Sequence, residues 1–97
     1  MNTPAKIDVE QIAEEEFQVR VIEGKTRTLH RVTLKAADHL RISGRAIPPA
    51  ELVKRSFEFL LENEPKESIL TRFDLPLIGR YFPNFEPEMK RRLAEKG

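Results

Sequence analysis

A dense apolar run near the C-terminus constrains the fold of this chain more than any other segment. Residues 67–83 read ESILTRFDLPLIGRYFP, in which apolar side chains recur at intervals of three and four residues. Such spacing is typical of helices that bury one face. The run therefore predicts two short buried helices, over about 65–72 and 74–82, with Asp74 as the N-cap of the second.

Over residues 16–34 the period of the apolar residues changes to two. Phe17, Val19 and Val21 alternate with polar residues, Gly24 interrupts the pattern, and the alternation then resumes. This pattern predicts a β-hairpin, because glycine readily adopts the positive φ of a tight turn. A two-residue turn would align the apolar positions on one face, whereas a slip of one residue would mix the faces. The aligned pairs would be Phe17 with Val32, Val19 with His30, and Val21 with Thr28.

Three other segments complete the expected secondary structure. A helix over about 49–62 begins at two prolines and carries its apolar residues on one broad face. A last helix is expected over about 87–95. Residues 35–42 fit a helix closed by Gly44 or a third strand equally well.

The expected fold class is therefore α+β. An N-terminal hairpin would pack on three or four short helices, within a single domain over residues 15–97. Residues 1–14 would form an acidic arm that is flexible or weakly helical. Because a two-stranded sheet is marginal alone, pairing of two hairpins across a twofold axis would give a homodimer with a four-stranded sheet.

The composition excludes several kinds of site. The chain has no cysteine, so disulfides and thiolate metal sites are impossible. His30 and His39 do not match a metal-ligand spacing. The four glycines are scattered, so no glycine-rich phosphate-binding loop is present. No serine lies in a sequence motif that would provide a base to activate it as a nucleophile. We therefore predict no catalytic, metal or cofactor-binding residue and no enzyme, unless His30 lies exposed in a cleft beside a carboxylate.

The sequence also indicates where the protein resides. It contains no apolar run of about 18 residues and no charged-then-apolar leader. We therefore expect neither a membrane span nor secretion, and we predict a cytoplasmic protein.

The charges are unevenly distributed, although the net charge is only +1. Residues 1–16 hold one lysine and five acidic residues, whereas residues 17–48 hold seven basic and two acidic residues. The tip and outward face of the hairpin form a candidate nucleic-acid surface, because basic side chains neutralise phosphates. A solvated sheet face is the competing interpretation. Whether the acidic arm covers this surface is open. The residues of the candidate nucleic-acid surface are Arg20, Lys25, Arg27 and Arg31.

Three aromatic residues around Pro83 form a second candidate surface. Tyr81, Phe82 and Phe85 lie close together in sequence, and exposed aromatic area of this kind can bind a protein partner. Burial of the same residues in the core is the competing interpretation.

Two segments carry a resemblance to a protein family. Residues 51–61 read ELVKRSFEFLL, and with residues 67–83 they resemble small bacterial proteins of uncharacterised function. That family shows E-L-V-x-x-S-F-x-F-L-L followed by E-x-S-I-L-x-x-F-D-L-x-x-I-x-R-Y-F-P. The match covers less than a third of this chain, in which Glu67 directly precedes Ser68. The resemblance implies a bacterial origin but no activity, cofactor or catalytic residue.

The sequence thus favours a small non-catalytic module that acts through protein–protein interaction or regulation, with an unidentified protein partner and as a homodimer. The alternative is a nucleic-acid-binding regulator that uses the basic outer face of the hairpin.

Overall fold

The protein is a small α+β domain, as the sequence predicted. The computed structural model describes residues 5–44 and 46–95. The sheet contains β1 (Lys6–Ala13), β2 (Glu16–Glu23), β3 (Thr26–Thr33) and β4 (Arg72–Asp74). The α-helices are α1 (Ala36–Ser43), α2 (Pro49–Asn63), α3 (Ile78–Tyr81) and α4 (Phe85–Glu95), and two 3₁₀ turns span Lys66–Ser68 and Leu75–Leu77.

The predicted hairpin and its register are confirmed. Strands β2 and β3 pair antiparallel with Phe17 opposite Val32 and Val19 opposite His30. Gly24 adopts a φ of 59° in the turn, where a β-carbon would be strained. Phe17, Val19 and Val32 are fully buried, because their shared face packs beneath the helices.

The N-terminal arm was predicted incorrectly over residues 6–13, which form strand β1 and not a flexible or weakly helical segment. Ile7 pairs with Val21 and Val9 with Val19, so β1 extends the apolar face of the hairpin. Both side chains pack against the core, and α2 lies across the strand. The start of the predicted arm, residues 1–4, lies outside the described residues.

The sheet order is β1-β2-β3-β4, with β4 parallel to β3. Strand β1 thus occupies one edge of the hairpin along its length, and β4 occupies the other edge at residues 31–33. A four-stranded sheet, which we expected only from two paired hairpins, is therefore formed within one chain. The homodimer stays a prediction.

The ambiguous segment over 35–42 is helical and corresponds to α1. Gly44 closes the helix with a φ of 61°, and its N–H donates to the carbonyl of Leu40 at 2.8 Å. This is the left-handed cap expected of a glycine at that position.

The apolar run does not form the two predicted helices. Of the first predicted helix only the 3₁₀ turn Lys66–Ser68 is helical, and residues 72–74 form β4. Asp74 makes no side-chain cap hydrogen bond, and only four residues of the second helix are α-helical. Strand pairing prevails because Phe73 lies in register with Val32 and the N–H of Arg31 donates to the carbonyl of Thr71 at 2.7 Å.

The other two predicted helices are present. Helix α2 ends one residue later than expected, at Asn63, and α4 begins two residues earlier, at Phe85. The buried face of α2 provides Phe57, which contacts the rings of His30 and Phe73.

Candidate binding surfaces

The three aromatic residues of the predicted partner surface have different environments. Phe85 is fully buried, with its ring centroid 5.4 Å from that of Phe59, so its prediction as a surface residue was wrong. Phe82 is half-buried and meets Phe59 edge-on at 5.9 Å. Tyr81 is 65% exposed. The core interpretation therefore holds fully for Phe85 and in part for Phe82, which packs against the core while it lines the surface.

Tyr81 and Phe82 line a groove of about 340 Å³, which we call the C-terminal groove. Most of its lining is aliphatic or aromatic, and only two of the residues are polar without an aromatic ring. The lining consists of Leu60, Glu64, Ser68, Ile69, Leu70, Phe73, Leu77, Ile78, Tyr81 and Phe82.

A buried histidine fixes one wall of the groove. His30 of β3 donates from Nδ1 to the carbonyl of Leu70 at 2.8 Å, so its Nε2 accepts from the hydroxyl of Thr28 at 2.8 Å when the ring is neutral. Burial lowers the pKa of His30, and the hydrogen bond to Leu70 partly opposes that shift. His30 thus holds the chain just before β4, where the Leu70 side chain remains 44% exposed.

Lys66 fixes the segment that enters the groove. Its side chain is buried, and Nζ contacts carboxylate oxygens of Glu67 at 2.6 Å and of Glu23 at 3.1 Å. These contacts, the Glu67 hydrogen bond most of all, raise the pKa of Lys66. They tie the first 3₁₀ turn to the end of β2. No local sequence pattern indicates this contact, because Glu23 and Lys66 are far apart along the chain.

Glu64 places a carboxylate in the otherwise apolar lining. It is the C-cap residue that follows α2, and its N–H donates to the carbonyl of Leu60 at 2.9 Å. Its side chain makes no hydrogen bond or ion pair with any residue of 5–44 or 46–94. Desolvation raises the pKa of Glu64, because burial disfavours the charged form. The groove therefore offers apolar surface beside one unpaired acidic group.

The basic residues predicted on the hairpin lie on the sheet face opposite the core. Arg20, Arg27 and Arg31 alternate with inward-facing residues, and Lys25 is exposed in the turn. Arg72 of β4 lies in register with Arg31 and joins them. We call the outward surface formed by Arg20, Arg27, Arg31 and Arg72 the arginine face. Arg72 was missed because β4 has only three residues and pairs with a distant strand.

The arginine face is not neutralised by the acidic N-terminal strand. Asp8 and Glu10 of β1 lie beside β2, opposite Arg20 and Gln18, and do not extend over β3. Within the face, Arg31 alone has an ion pair among the described residues, with Glu16 at a distance of 4.0 Å between the charged atoms.

The described part of the chain contains no group of three or more histidine, aspartate or glutamate side chains that could hold a metal ion. His39 donates from Nε2 to the carbonyl of Ile47 at 2.7 Å, and His30 is buried with both nitrogens hydrogen-bonded. The exposed histidine required by the catalytic hypothesis is therefore not found. No helix within these residues is long and apolar enough to cross a membrane.

Comparison with known proteins does not supply a function. No family model, curated protein or solved structure matches the chain. The function is therefore inferred from the C-terminal groove and the arginine face.

Proposed function

We propose that this protein is a non-catalytic interaction module that binds an apolar segment of a partner protein in the C-terminal groove. The segment would carry a lysine or arginine that meets Glu64. The observation that carries the proposal is an apolar groove with an unpaired carboxylate in its lining.

The exposed rim of the groove supports a protein partner over a small molecule. Leu70 and Tyr81 are 44% and 65% exposed, and both lie where a docked chain would cover them. A volume of about 340 Å³ is near the low end for small-molecule sites. An amphipathic helix that inserts a few side chains suits such a surface.

The environment of Glu64 is the reason for expecting a basic residue in the bound segment. Its carboxylate already bears part of the desolvation cost of an interface and has no cation within reach among the described residues. A lysine or arginine from the partner would complete the ion pair in a site from which water is excluded. An acidic residue at the same point would be repelled. Glu64 would thus provide specificity while the apolar lining provides affinity.

A display library of random peptides tests the proposal. We expect selected peptides to share apolar residues three or four positions apart together with a lysine or arginine. Leu70→Ser should abolish their binding. Leu40→Ser is the matched control, because Leu40 is 48% exposed on α1 and does not line the groove.

Two results would contradict the proposal. One is a selection that yields no peptide dependent on Leu70. The other is equal loss of binding in both leucine variants. Concentration-dependent dimerisation that Leu70→Ser abolishes would instead assign the groove to a second copy of this chain.

A further inference from the structure

We infer that the arginine face is a second binding site, independent of the C-terminal groove, which contacts the phosphate backbone of a double-stranded nucleic acid. This inference does not rest on the function proposed for the groove.

The first argument is the distribution of unpaired arginines. The described arginines of helices α1, α2 and α4 form ion pairs with carboxylates. The pairs are Arg41–Glu86, Arg55–Glu51, Arg91–Glu88 and Arg92–Glu62. On the arginine face, Arg20, Arg27 and Arg72 form no ion pair with any described residue. The Nε of Arg20 is also buried without a hydrogen-bond partner there.

The second argument is the spacing of the charges. Arg31 and Arg72 stand side by side on neighbouring strands, which are about 4.8 Å apart. Like charges placed side by side on a sheet repel, unless an anion lies between them. Arg27 lies four residues from Arg31 along β3, a distance of about 13 Å. One phosphate cannot span this array, so the ligand must carry several along its length.

The shape of the face selects a duplex. None of its outward positions carries an aromatic side chain on which the bases of a single strand could stack. Strand β1 flanks the hairpin along β2, and β4 flanks it only at residues 31–33 of β3. The hairpin is therefore not the free two-stranded ribbon that enters a major groove, and its arginines are placed to contact phosphates at the duplex surface. Asp8 and Glu10 lie on the β1 side of the face and Asp74 is in register with Thr33, so we expect the contact at Arg27, Arg31 and Arg72.

Fluorescence anisotropy with the full chain at low salt tests this inference. The probes are labelled duplex DNA, duplex RNA, the corresponding single strands and poly-glutamate. We expect the duplexes to bind most tightly, with a slope of log K against log salt of about −3 for DNA. The ratio of the two duplex affinities identifies which of them is preferred.

Single substitutions locate the contact. Arg72→Gln and Arg27→Gln should each reduce the salt slope by about 1. The matched control is Arg80→Gln, because Arg80 is exposed on α3 without an ion pair among the described residues and lies off the sheet. A groove variant carrying both Leu70→Ser and Tyr81→Ser should bind duplexes as the wild type does.

Several outcomes would overturn the inference. They are absence of duplex binding at low salt, tighter binding of single strands, and binding of poly-glutamate as tight as that of a duplex. Equal weakening by Arg80→Gln and Arg72→Gln would also overturn it. Because Arg27 and Arg72 lie on different strands, misfolding of one variant leaves the other to decide the question.

Discussion

The core and the C-terminal groove are built from the same kinds of residue, yet they expose them to very different degrees. Phe85 is fully buried against Phe59, whereas Tyr81, four residues earlier, is 65% exposed. The chain turns between them, since α3 ends at Tyr81 and the N–H of Phe85 donates to the Phe82 carbonyl at 2.8 Å. The turn directs one aromatic ring inward and leaves the other at the surface.

This difference separates stability from binding. Side chains in the core have lost their contact with water and stabilise the fold in the free protein. Leu70 and Tyr81 keep much of their contact with water, so burial of their side chains by a partner still contributes favourable free energy to binding. Substitutions in the two regions should therefore affect different measurements.

The largest expected effect is that of Phe85→Ala. Truncation of a fully buried phenylalanine lowers the free energy of unfolding by about 3–5 kcal/mol, because it removes apolar contacts and leaves a cavity. Denaturant unfolding measures the change, with Tyr81→Ala as the control. If Phe85→Ala unfolds no more easily than Tyr81→Ala, the distinction between the two regions is wrong.

The next effect concerns His30, which links the core to the groove wall. Because burial lowers its pKa in the folded state, the unfolded chain binds a proton more readily. Stability is therefore complete above the ordinary histidine pKa of about 6.5 and decreases as the pH falls below it. His30→Gln should cost about 1–3 kcal/mol at neutral pH and remove this part of the pH dependence. An unchanged slope near pH 6 in that variant would contradict the assignment.

The pKa values of two carboxylates should be shifted in opposite directions from the ordinary glutamate value. Hydrogen bonds from Arg91 and Arg92 lower the pKa of Glu88 to about 2, whereas desolvation raises that of Glu64. The stabilisation from Glu88 should be lost as the pH falls from about 4.5 toward 2. Glu64→Gln should slightly increase stability at neutral pH, because a neutral amide is less costly to desolvate. Carboxyl-carbon NMR titration measures both values, and equal pKa values would remove the contrast.

The smallest effect on stability should come from the groove rim. Leu70→Ser and Tyr81→Ser should each change the free energy of unfolding by about 1 kcal/mol or less, because Tyr81 is mostly exposed and Leu70 is exposed over nearly half of its surface. Thermal unfolding provides the measurement. A loss of several kcal/mol in either variant would show that the rim belongs to the core.

The sequence predicted the elements whose signals are local. Alternating residues with Gly24 between them determined the hairpin and its register, and the apolar arc of α2 determined the longest helix. Strand β1 was missed although Ile7 and Val9 also alternate, because acidic residues dominate that segment and suggested an exposed arm.

The two surfaces depend on contacts that have no local signal. Strand β4 has three residues, and its pairing with β3 connects positions about forty residues apart. That pairing brings Arg72 beside Arg31. It also holds the extended part of the apolar run, with Ile69, Leu70 and Phe73, as one wall of the groove. The spacing of the apolar residues predicted a helix over the same residues, and tertiary pairing with β3 prevailed. Tyr81, Phe82, Arg20, Arg27 and Arg31 were nevertheless identified as surface candidates from their residue types and spacing.

The most direct test of the groove's function is a double-mutant cycle between Glu64 and the basic residue of the tightest selected peptide. The affinities to measure are those of wild type and Glu64→Gln for that peptide and for its glutamine-substituted form. We expect Glu64→Gln to weaken binding of the basic peptide about tenfold and to leave the substituted peptide nearly unchanged. Equal effects on the two peptides would show that Glu64 does not contact the cation, and would contradict the proposed mode of binding.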